Sequence, residues 1–300
     1  MLLKEQNYGV EIELVSITRQ RASGIIARHF GTTNWHAARE YGYDAWAAKD
    51  RKGRVWKCVK DASLNDRNGG CEVVTPILQY EDMEDLQVII RLLREAGAKA
   101  DGSCGIHVHV DASKHTIDSL QRLMNFAIGR QDLFYEALAV SERRTERFCR
   151  KMNKNLFKAI QQDSERTTAS LERLWYSPVN DGYRYGISHD HYNSTRYHGI
   201  NLHAFFTKGT VEFRLFNGTT HAGRIKAYVQ FCLAMSAWAI EGKSTSLHFR
   251  TIKNYTMEQK KALMLRVLKN RLGLKGWEFR TARLHLTAAF RTDGSNESAA

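Results

Sequence analysis

Short segments of alternating apolar and polar residues recur along the chain, each bounded by Gly, Asn, Asp or Pro. This alternation is typical of β-strands that bury one face. The predicted strands span residues 8–16, 54–60, 71–76, 105–111, 197–206 and 210–216.

Longer segments carry apolar residues three and four positions apart, the spacing of amphipathic helices. The predicted helices span residues 83–97, 116–139, 224–240 and 257–272. The strands outnumber what a strict alternation of strands and helices would supply. We therefore expect an α+β protein with a largely antiparallel sheet.

Several predicted strands carry functional groups on their polar face. Because residues two positions apart on a strand point to the same side, the polar face of each strand can be read from the sequence. Val10, Ile12 and Leu14 would share the buried face of the first strand, and Val211, Phe213 and Leu215 that of the last. The polar residues are Glu11 and Glu13, Glu72, His107 and His109, and Glu212 and Arg214.

Each of these pairs has an ordinary explanation when taken alone, such as a solvated strand face or a cross-strand ion pair. On neighbouring strands, however, the carboxylates would repel one another. A hard divalent cation relieves that repulsion, and Mg²⁺ or Mn²⁺ also tolerates an imidazole ligand. An arginine in register with such a site suits a transferring phosphoryl group, so the set together indicates phosphoryl transfer.

Charge and composition narrow the class of protein. The net charge of +13 suggests an anionic partner. The excess concentrates in residues 141–158 and in the C-terminal quarter, where solvated helix surfaces would explain it equally well. The five cysteines include no CxxC pair, which argues against a disulfide framework and a thiolate zinc site. The chain shows neither a membrane-spanning segment nor an apolar signal peptide, so we expect a cytoplasmic protein.

Five segments, in this order, resemble the amidoligase family of carboxylate–amine ligases, relatives of glutamine synthetase and glutamate–cysteine ligase. The resemblance runs from about residue 7 to about residue 240. The segments are YGVEIEL, WKCVKDASL with GGCEVVTP, CGIHVHVD, STRYHGINLHAFF and GTVEFRLFNGT.

The resemblance implies a glutamine-synthetase-like catalytic fold, in which helices pack on the convex face of a curved antiparallel sheet. The concave face would bind ATP and Mg²⁺ or Mn²⁺. It implies a catalytic domain over residues 1–242, with a helical insertion at about 115–190, and a basic helical extension over 243–300. The reaction would join a small-molecule or peptide carboxylate to an amine through an acyl phosphate.

The resemblance also implies roles for individual residues. Arg214 would lie beside the phosphoryl group, and His109 would contact a phosphate. Arg196 would serve catalysis and Asn201 would help to bind ATP. The implied metal ligands are Glu11, Glu13, Glu72, His107 and Glu212.

Two other functions remain open from the residues alone. The first is a metal-dependent hydrolase that combines the HVHVD motif with later residues, which are His189, Asp190, His191, His198 and His203. The second is a nucleic-acid-binding protein on an inactive ligase scaffold, suggested by the basic segments. The sequence specifies neither the substrates nor the general base nor the oligomeric state.

Overall fold

The computed structural model describes residues 2–42, 44–64, 70–181, 189–190, 193–243 and 249–291. Within these residues, eight strands form one open sheet. They are β1 (Tyr8–Leu14), β2 (Asn34–Ala38), β3 (Ala45–Lys49), β4 (Val55–Val59), β5 (Cys71–Val74), β6 (Gly105–Asp111), β7 (Ile200–Asn201) and β8 (Thr210–Asn217).

The order of the strands places β1 near the middle of the sheet. The order is β2-β3-β4-β5-β1-β6-β8-β7, and every neighbouring pair is antiparallel. The α+β class and the antiparallel sheet are therefore confirmed. The curvature of the sheet and the glutamine-synthetase-like assignment stay predictions.

The α-helices of the described residues surround this sheet. They are α1 (Arg19–Phe30), α2 (Met83–Glu95), α3 (Ile117–Ile128), α4 (Gln131–Ala137), α5 (Glu142–Arg147), α6 (Lys154–Gln162), α7 (Thr168–Trp175), α8 (Pro178–Asp181), α9 (His203–Lys208), α10 (Ala222–Glu241), α11 (Met257–Arg266) and α12 (Arg280–His285). None of them combines the length and the apolar character that crossing a bilayer requires.

One face of the sheet is the apolar core. Val10, Ile12 and Val108 are at most 1% exposed, as the alternation of the strands predicts. Helix α1 packs against β2 to β5, while α10 packs against β6 and is also surrounded by α2, α3 and α12. Because helices cover this face, the polar side chains of the same strands project from the opposite face.

Strands β2 and β3 were missed by the sequence analysis. Their sequences, NWHAA and AWAAK, contain no Val, Ile or Thr, so the usual strand signal is weak. Tertiary packing stabilises the two strands despite this weak β propensity. Ala37, Ala45 and Ala47 form a small buried cluster, and β3 continues the sheet from β4.

The predicted strand over residues 197–206 is wrong for most of its length. A 3₁₀ turn covers Ser194–Tyr197, the strand is confined to Ile200–Asn201, and α9 follows at once. The Asn201 side chain accepts a hydrogen bond from the backbone N–H of His203 at 2.8 Å, which helps to end the strand. Local side-chain bonding of this kind overrides the β propensity of the segment.

Two predicted helices are also interrupted. The helix expected over 116–139 divides into α3 and α4 at Gly129 and Arg130, where glycine favours a break. The helix expected over 257–272 is α-helical only to Arg266 and continues as a π-helical turn, Val267–Arg271.

The C-terminal residues share the core of the rest of the chain. Leu268, Phe279 and Leu286 are buried in the main hydrophobic cluster, and α12 packs against α10. The division into domains at residue 242 stays a prediction. All five cysteines are buried free thiols, as expected.

Candidate active site

The centre of the polar face is the pair of strands β1 and β6. Glu11 lies directly opposite His107 in the register of the two strands. Its carboxylate is 3.0 Å from Nδ1 of His107 and 3.2 Å from Nε2 of His109. The two histidines of the HVH motif therefore share one carboxylate partner, as the alternation predicts.

Strand β8 brings a second carboxylate to the same place. Glu212 lies opposite His109, and its Oε1 is 3.7 Å from Nε2 of that histidine. Arg214 donates to Glu212 Oε1 at 2.5 Å, and the Asn201 amide donates to Oε2 at 2.7 Å. Both oxygens of this buried carboxylate are thus held in place.

A β-bulge in β8 lies beside Arg214. Ile106 pairs with Phe216 and Val108 with Phe213, so β8 uses one residue more than β6 over this interval. Arg214 stays on the polar face, with Nη1 3.5 Å from His107 Nδ1. Bulges often re-aim a side chain beside an active site. Phe216 is the residue opposite Ile106, and Leu215, which was expected on the buried face, is 2% exposed and belongs to the hydrophobic core.

Strands β1 and β5 bring two carboxylates face to face. Glu13 and Glu72 are direct cross-strand partners. The backbone N–H of Gly105 donates to Glu13 at 2.5 Å. Like charges in directly opposed positions destabilise a sheet. This pair therefore needs either a proton or a cation.

The pKa values of these carboxyls divide into two groups. Burial raises the pKa of Glu72 well above its usual range, and repulsion from Glu11 and Glu13 adds to it. Burial also raises the pKa of Glu13. For Glu212, burial acts in the same direction, but the adjacent Arg214 outweighs it and lowers the pKa to about 2.

The imidazoles and Arg214 respond to the same charges. Burial favours the neutral form of His109, but Glu212 and Glu11 outweigh it and raise its pKa. The pKa of Glu11 lies well below its usual value because His109 and His107 outweigh the opposing effect of burial. The pKa of Arg214 is raised, since Glu212 and Glu11 outweigh its burial. An ionised Glu11 and Glu212 are available as ligands.

The donor atoms group into three clusters, in each of which the candidate ligand atoms lie within 4.8 Å of one another. The clusters are Glu11–Glu72–His107, Glu11–His109–Glu212 and Glu13–Asp61–Glu72. The Nε2 atoms of His107 and His109 are buried and make no hydrogen bond of good geometry, although carboxylate oxygens of Glu13 and Glu11 lie 3.6 and 3.2 Å from them. Buried polar atoms are nearly always satisfied, so these nitrogens and the adjacent carboxylates are placed to share a bound cation.

These clusters fit a divalent cation. Oxygen-rich sets with one imidazole suit Mg²⁺ or Mn²⁺ rather than a thiolate-seeking metal. All five residues expected as ligands belong to the clusters. Asp61 is an additional donor, which the sequence presented only as part of the KDASL segment.

A cleft of about 610 Å³ opens over this surface. It is lined by Glu11, Glu13, Glu72, His107 and Arg214 together with basic residues from outside the sheet. The basic residues are Lys60, Arg144, Arg196 and Lys208. Arg196 lies beside the Tyr197 ring, with its guanidinium carbon 5.5 Å from the ring centroid. Cations and carboxylates thus face each other across one cleft.

Arg144 is a site residue that the sequence analysis missed. It comes from α5, is 2% exposed and donates to the backbone carbonyl of Arg214 at 2.9 Å. Its guanidinium also fills the space that a side chain at Gly105 would need. In the sequence it is part of the SERRTER segment, where Ser141 caps the helix. That segment contains three arginines, and no local pattern distinguishes Arg144 from the other two.

A second cleft of about 370 Å³ adjoins the first. The two share Glu11 and Lys208, and the second also contains His109. Its walls are more apolar, with Tyr8, Val74 and other residues of β1 and β5. The polar face therefore offers two connected binding spaces that meet at Glu11.

The additional histidines of the hydrolase alternative lie elsewhere. His198 bonds to the carbonyl of Thr195 at 2.8 Å, and His203 to the hydroxyl of Tyr176 at 2.8 Å. His189 contacts Glu172. In the described part of the chain, none of them joins a donor cluster with His107 or His109. His191 lies outside the described residues.

Replacing Glu72 by Gln should stabilise the metal-free protein at pH 8. A carboxyl with a raised pKa holds its proton more tightly when folded, so its ionisation costs stability as the pH rises from about 4.3 through that pKa. We expect the melting temperature of Glu72→Gln to exceed that of the wild type by a few degrees at pH 8. Each kcal/mol of added free energy of unfolding raises the melting temperature by about 2–4 °C.

The difference should vanish near pH 4, where both proteins are uncharged at this position. Saturating Mn²⁺ should reverse it, because the cation stabilises only a site with its ligand intact. Calorimetric melting with Glu165→Gln as an exposed control tests this. A variant less stable than the wild type at pH 8 without metal would contradict it.

Comparison with known proteins gives similar solved structures and a family. One of these structures is a bifunctional glutathione synthetase from Pasteurella multocida, with 14% identity, 98% of this chain and 51% of that chain covered, and a TM-score of 0.42. The chain spans about half the length of that protein, and so distant a similarity supports no conclusion. A search of curated proteins finds no match.

A family model matches most of the chain and identifies its family. Residues 4–236 match the family model described as "Putative amidoligase enzyme". The resemblance seen in the sequence is thereby confirmed, and it supports a carboxylate–amine ligase in general. The chain belongs to the amidoligase family.

Proposed function

We propose that the protein is an ATP-dependent carboxylate–amine ligase that works through an acyl phosphate. The observation that carries the proposal is the convergence of three carboxylate-rich donor clusters on the polar face of the sheet, beside a cleft lined by Arg214, the partner of the buried Glu212. Family membership supports the reaction class. The cluster chemistry supports a nucleotide with divalent cations.

The proposed reaction has two steps. A carboxylate oxygen of the substrate attacks the γ-phosphorus of ATP, and the bond to the bridging oxygen breaks to release ADP. The amine nitrogen then attacks the acyl carbon, the bond from that carbon to the phosphate oxygen breaks, and phosphate leaves with the electron pair. The amine loses a proton to solvent or to a neighbouring carboxylate.

The residues of the donor clusters would hold Mg²⁺ or Mn²⁺. Bound there, the cations would neutralise charge on the phosphate oxygens. The chain holds these ligands ready through its own contacts: Asn201 and Arg214 orient Glu212, and the N–H of Gly105 orients Glu13. His109 is proposed as a phosphate contact, and its place in a donor cluster also suits it to ligate the metal.

Arg214 would stabilise the charge that develops on the transferring phosphoryl group. Its raised pKa keeps it charged, and its Nε donates to the carbonyl of Phe148 at 3.3 Å. Arg144 would help to position Arg214, because the Arg144 guanidinium donates a hydrogen bond to the backbone carbonyl of Arg214. Arg196 and Lys208 line the cleft and would attract an acidic or phosphate-bearing substrate.

The test is release of ADP and phosphate with Mg²⁺ or Mn²⁺ over pools of amino acids, polyamines and small peptides. We expect turnover that requires both a carboxylate and an amine. Glu212→Gln should lower it by at least about 10³-fold, because a buried electrostatic contact at the reacting group is lost. Glu278→Gln, which removes an exposed carboxylate paired with Lys4, should not change it.

Two results would contradict the proposal. One is the absence of variant-sensitive ADP release in every pool together with the absence of metal-dependent ATP binding. The other is hydrolysis of a substrate without nucleotide, which would restore the hydrolase alternative. Circular dichroism of Glu212→Gln separates loss of the site from loss of the fold.

A further inference from the structure

Apart from the two clefts of the polar face, a cavity of about 380 Å³ lies among the helices and is lined by four arginines. They are Arg130, Arg250, Arg266 and Arg271, and the apolar part of the lining is Leu133, Leu263 and Val267. The cavity shares no lining residue with the two clefts of the polar face. It is a distinct place on the molecule.

Three separated parts of the chain build this cavity. Arg130 lies at the junction of α3 and α4, and the backbone N–H of Arg250 donates to the carbonyl of Gly129 at 3.0 Å. Arg266 ends α11, and Arg271 ends the π-helical turn that follows. The break between α3 and α4 and the π-helical turn, both departures from a simple helix, thus carry two of the four arginines, Arg130 and Arg271.

The arginines bring like charges together without a compensating acid. Across the described ranges, none of the four forms an ion pair with Asp or Glu, and no carboxylate lines the cavity. A nearby cation behaves differently, since Lys260 pairs with Glu136 at 2.6 Å. Burial, together with repulsion from Arg271 and Arg250, lowers the pKa of Arg130 to about 10. An anion would relieve this repulsion.

The shape and the residue types narrow the class of anion. Guanidinium groups match the oxygens of phosphate with paired hydrogen bonds and are the preferred residues for such recognition. The cavity opens to solvent, since Arg250, Arg266 and Arg271 are exposed. Its limited size and apolar part suit a small molecule better than a long nucleic acid strand, which needs a continuous track. The exposed lysines of the extension, Lys269 and Lys275, and the half-buried Lys261 do not line it.

We propose that the cavity formed by Arg130, Arg250, Arg266 and Arg271 binds a small phosphate-bearing anion. The site is separate from the candidate active site, because the cavity shares no lining residue with the clefts of the polar face. It assigns a role to part of the basic C-terminal segment that lies beyond the family match, which ends at residue 236.

The test is calorimetric titration of the full chain with pyrophosphate in metal-free buffer. The double variant Arg266→Gln/Arg271→Gln changes two exposed residues, so the fold should be kept. We expect its affinity for pyrophosphate to fall at least about tenfold, since two charge-assisted contacts are lost. The matched variant Lys275→Gln/Arg280→Gln removes the same charge outside the cavity and should bind within about twofold of the wild type.

Arg214→Lys reports any binding of pyrophosphate at the polar face, and the binding that Arg266→Gln/Arg271→Gln weakens should persist in it. Four results would overturn the proposal. The first is that the wild type does not bind pyrophosphate, and the second is that the two double variants lose equal affinity for it. The third is that only Arg214→Lys loses affinity for pyrophosphate. The fourth is that a single-stranded oligonucleotide binds more tightly than pyrophosphate and that both double variants weaken its binding equally. The last two would assign the anion to the polar face or to nucleic acid.

Discussion

Glu11→Gln should weaken Mn²⁺ binding by more than about 100-fold. Glu11 belongs to two of the three donor clusters, so one substitution removes an ionised oxygen from both. Losing an outer partner of a metal ligand already costs 10–100-fold in affinity, and losing a ligand should cost more. The amide can still accept the hydrogen bond that His107 makes to Glu11 at 3.0 Å, which favours retention of the fold.

Titration of Mn²⁺ followed by electron paramagnetic resonance measures this directly and requires no substrate. Glu165→Gln is the matched control, because its carboxylate is exposed and pairs with Arg173 outside the site. It should keep the wild-type affinity within about twofold. Wild-type binding of Mn²⁺ by Glu11→Gln would show that the two clusters containing Glu11 are not the metal site, whatever the protein's activity.

Arg214→Lys should lower kcat by about 10³-fold while leaving Mn²⁺ affinity close to that of the wild type. Lysine keeps the positive charge beside Glu212 but cannot reproduce the planar fork of arginine. Arginines that stabilise a transferring phosphoryl group contribute 10³–10⁵-fold to kcat. The separation of turnover from metal binding distinguishes a role in the reaction from a role in building the site.

The measurement is steady-state ADP release beside the same Mn²⁺ titration. Arg173→Lys, an exposed arginine paired with Glu165, should change neither quantity. Equal losses of turnover and metal affinity in Arg214→Lys would indicate that Arg214 supports Glu212 structurally. A variant with wild-type kcat would remove Arg214 from the proposed mechanism.

The polar face could be predicted because strand alternation is a local property. Glu11, His107 and Glu212 are separated by about 100 residues each, yet the period of two specifies the face of each, and pairing of the strands does the rest. The resemblance to the amidoligase family supplied the order of the motifs. It did not supply Asp61, whose role depends on where the loop after β4 approaches Glu13 and Glu72.

Other features depended on tertiary contacts that no local pattern encodes. Arg144 comes from a short helix in a segment with many cations, and only the fold shows which of them reaches Arg214. Strands β2 and β3 lack β-branched residues, and β4 and α1 provide the surface against which they form. The arginine cavity likewise requires positions 130, 250 and 266–271 to meet.

The β-bulge in β8 separates the part of the strand that carries the site residues from the part that packs against α10. Glu212 before the bulge and Arg214 within it lie on the polar face; after it, Phe216 stacks on Tyr228 of α10 with ring centroids 4.2 Å apart. Because the extra residue absorbs the change of phase, side chains for chemistry and side chains for packing can vary independently along one strand. Redesign of substrate scope in this protein can therefore alter the cleft end of β8 without repacking the hydrophobic core.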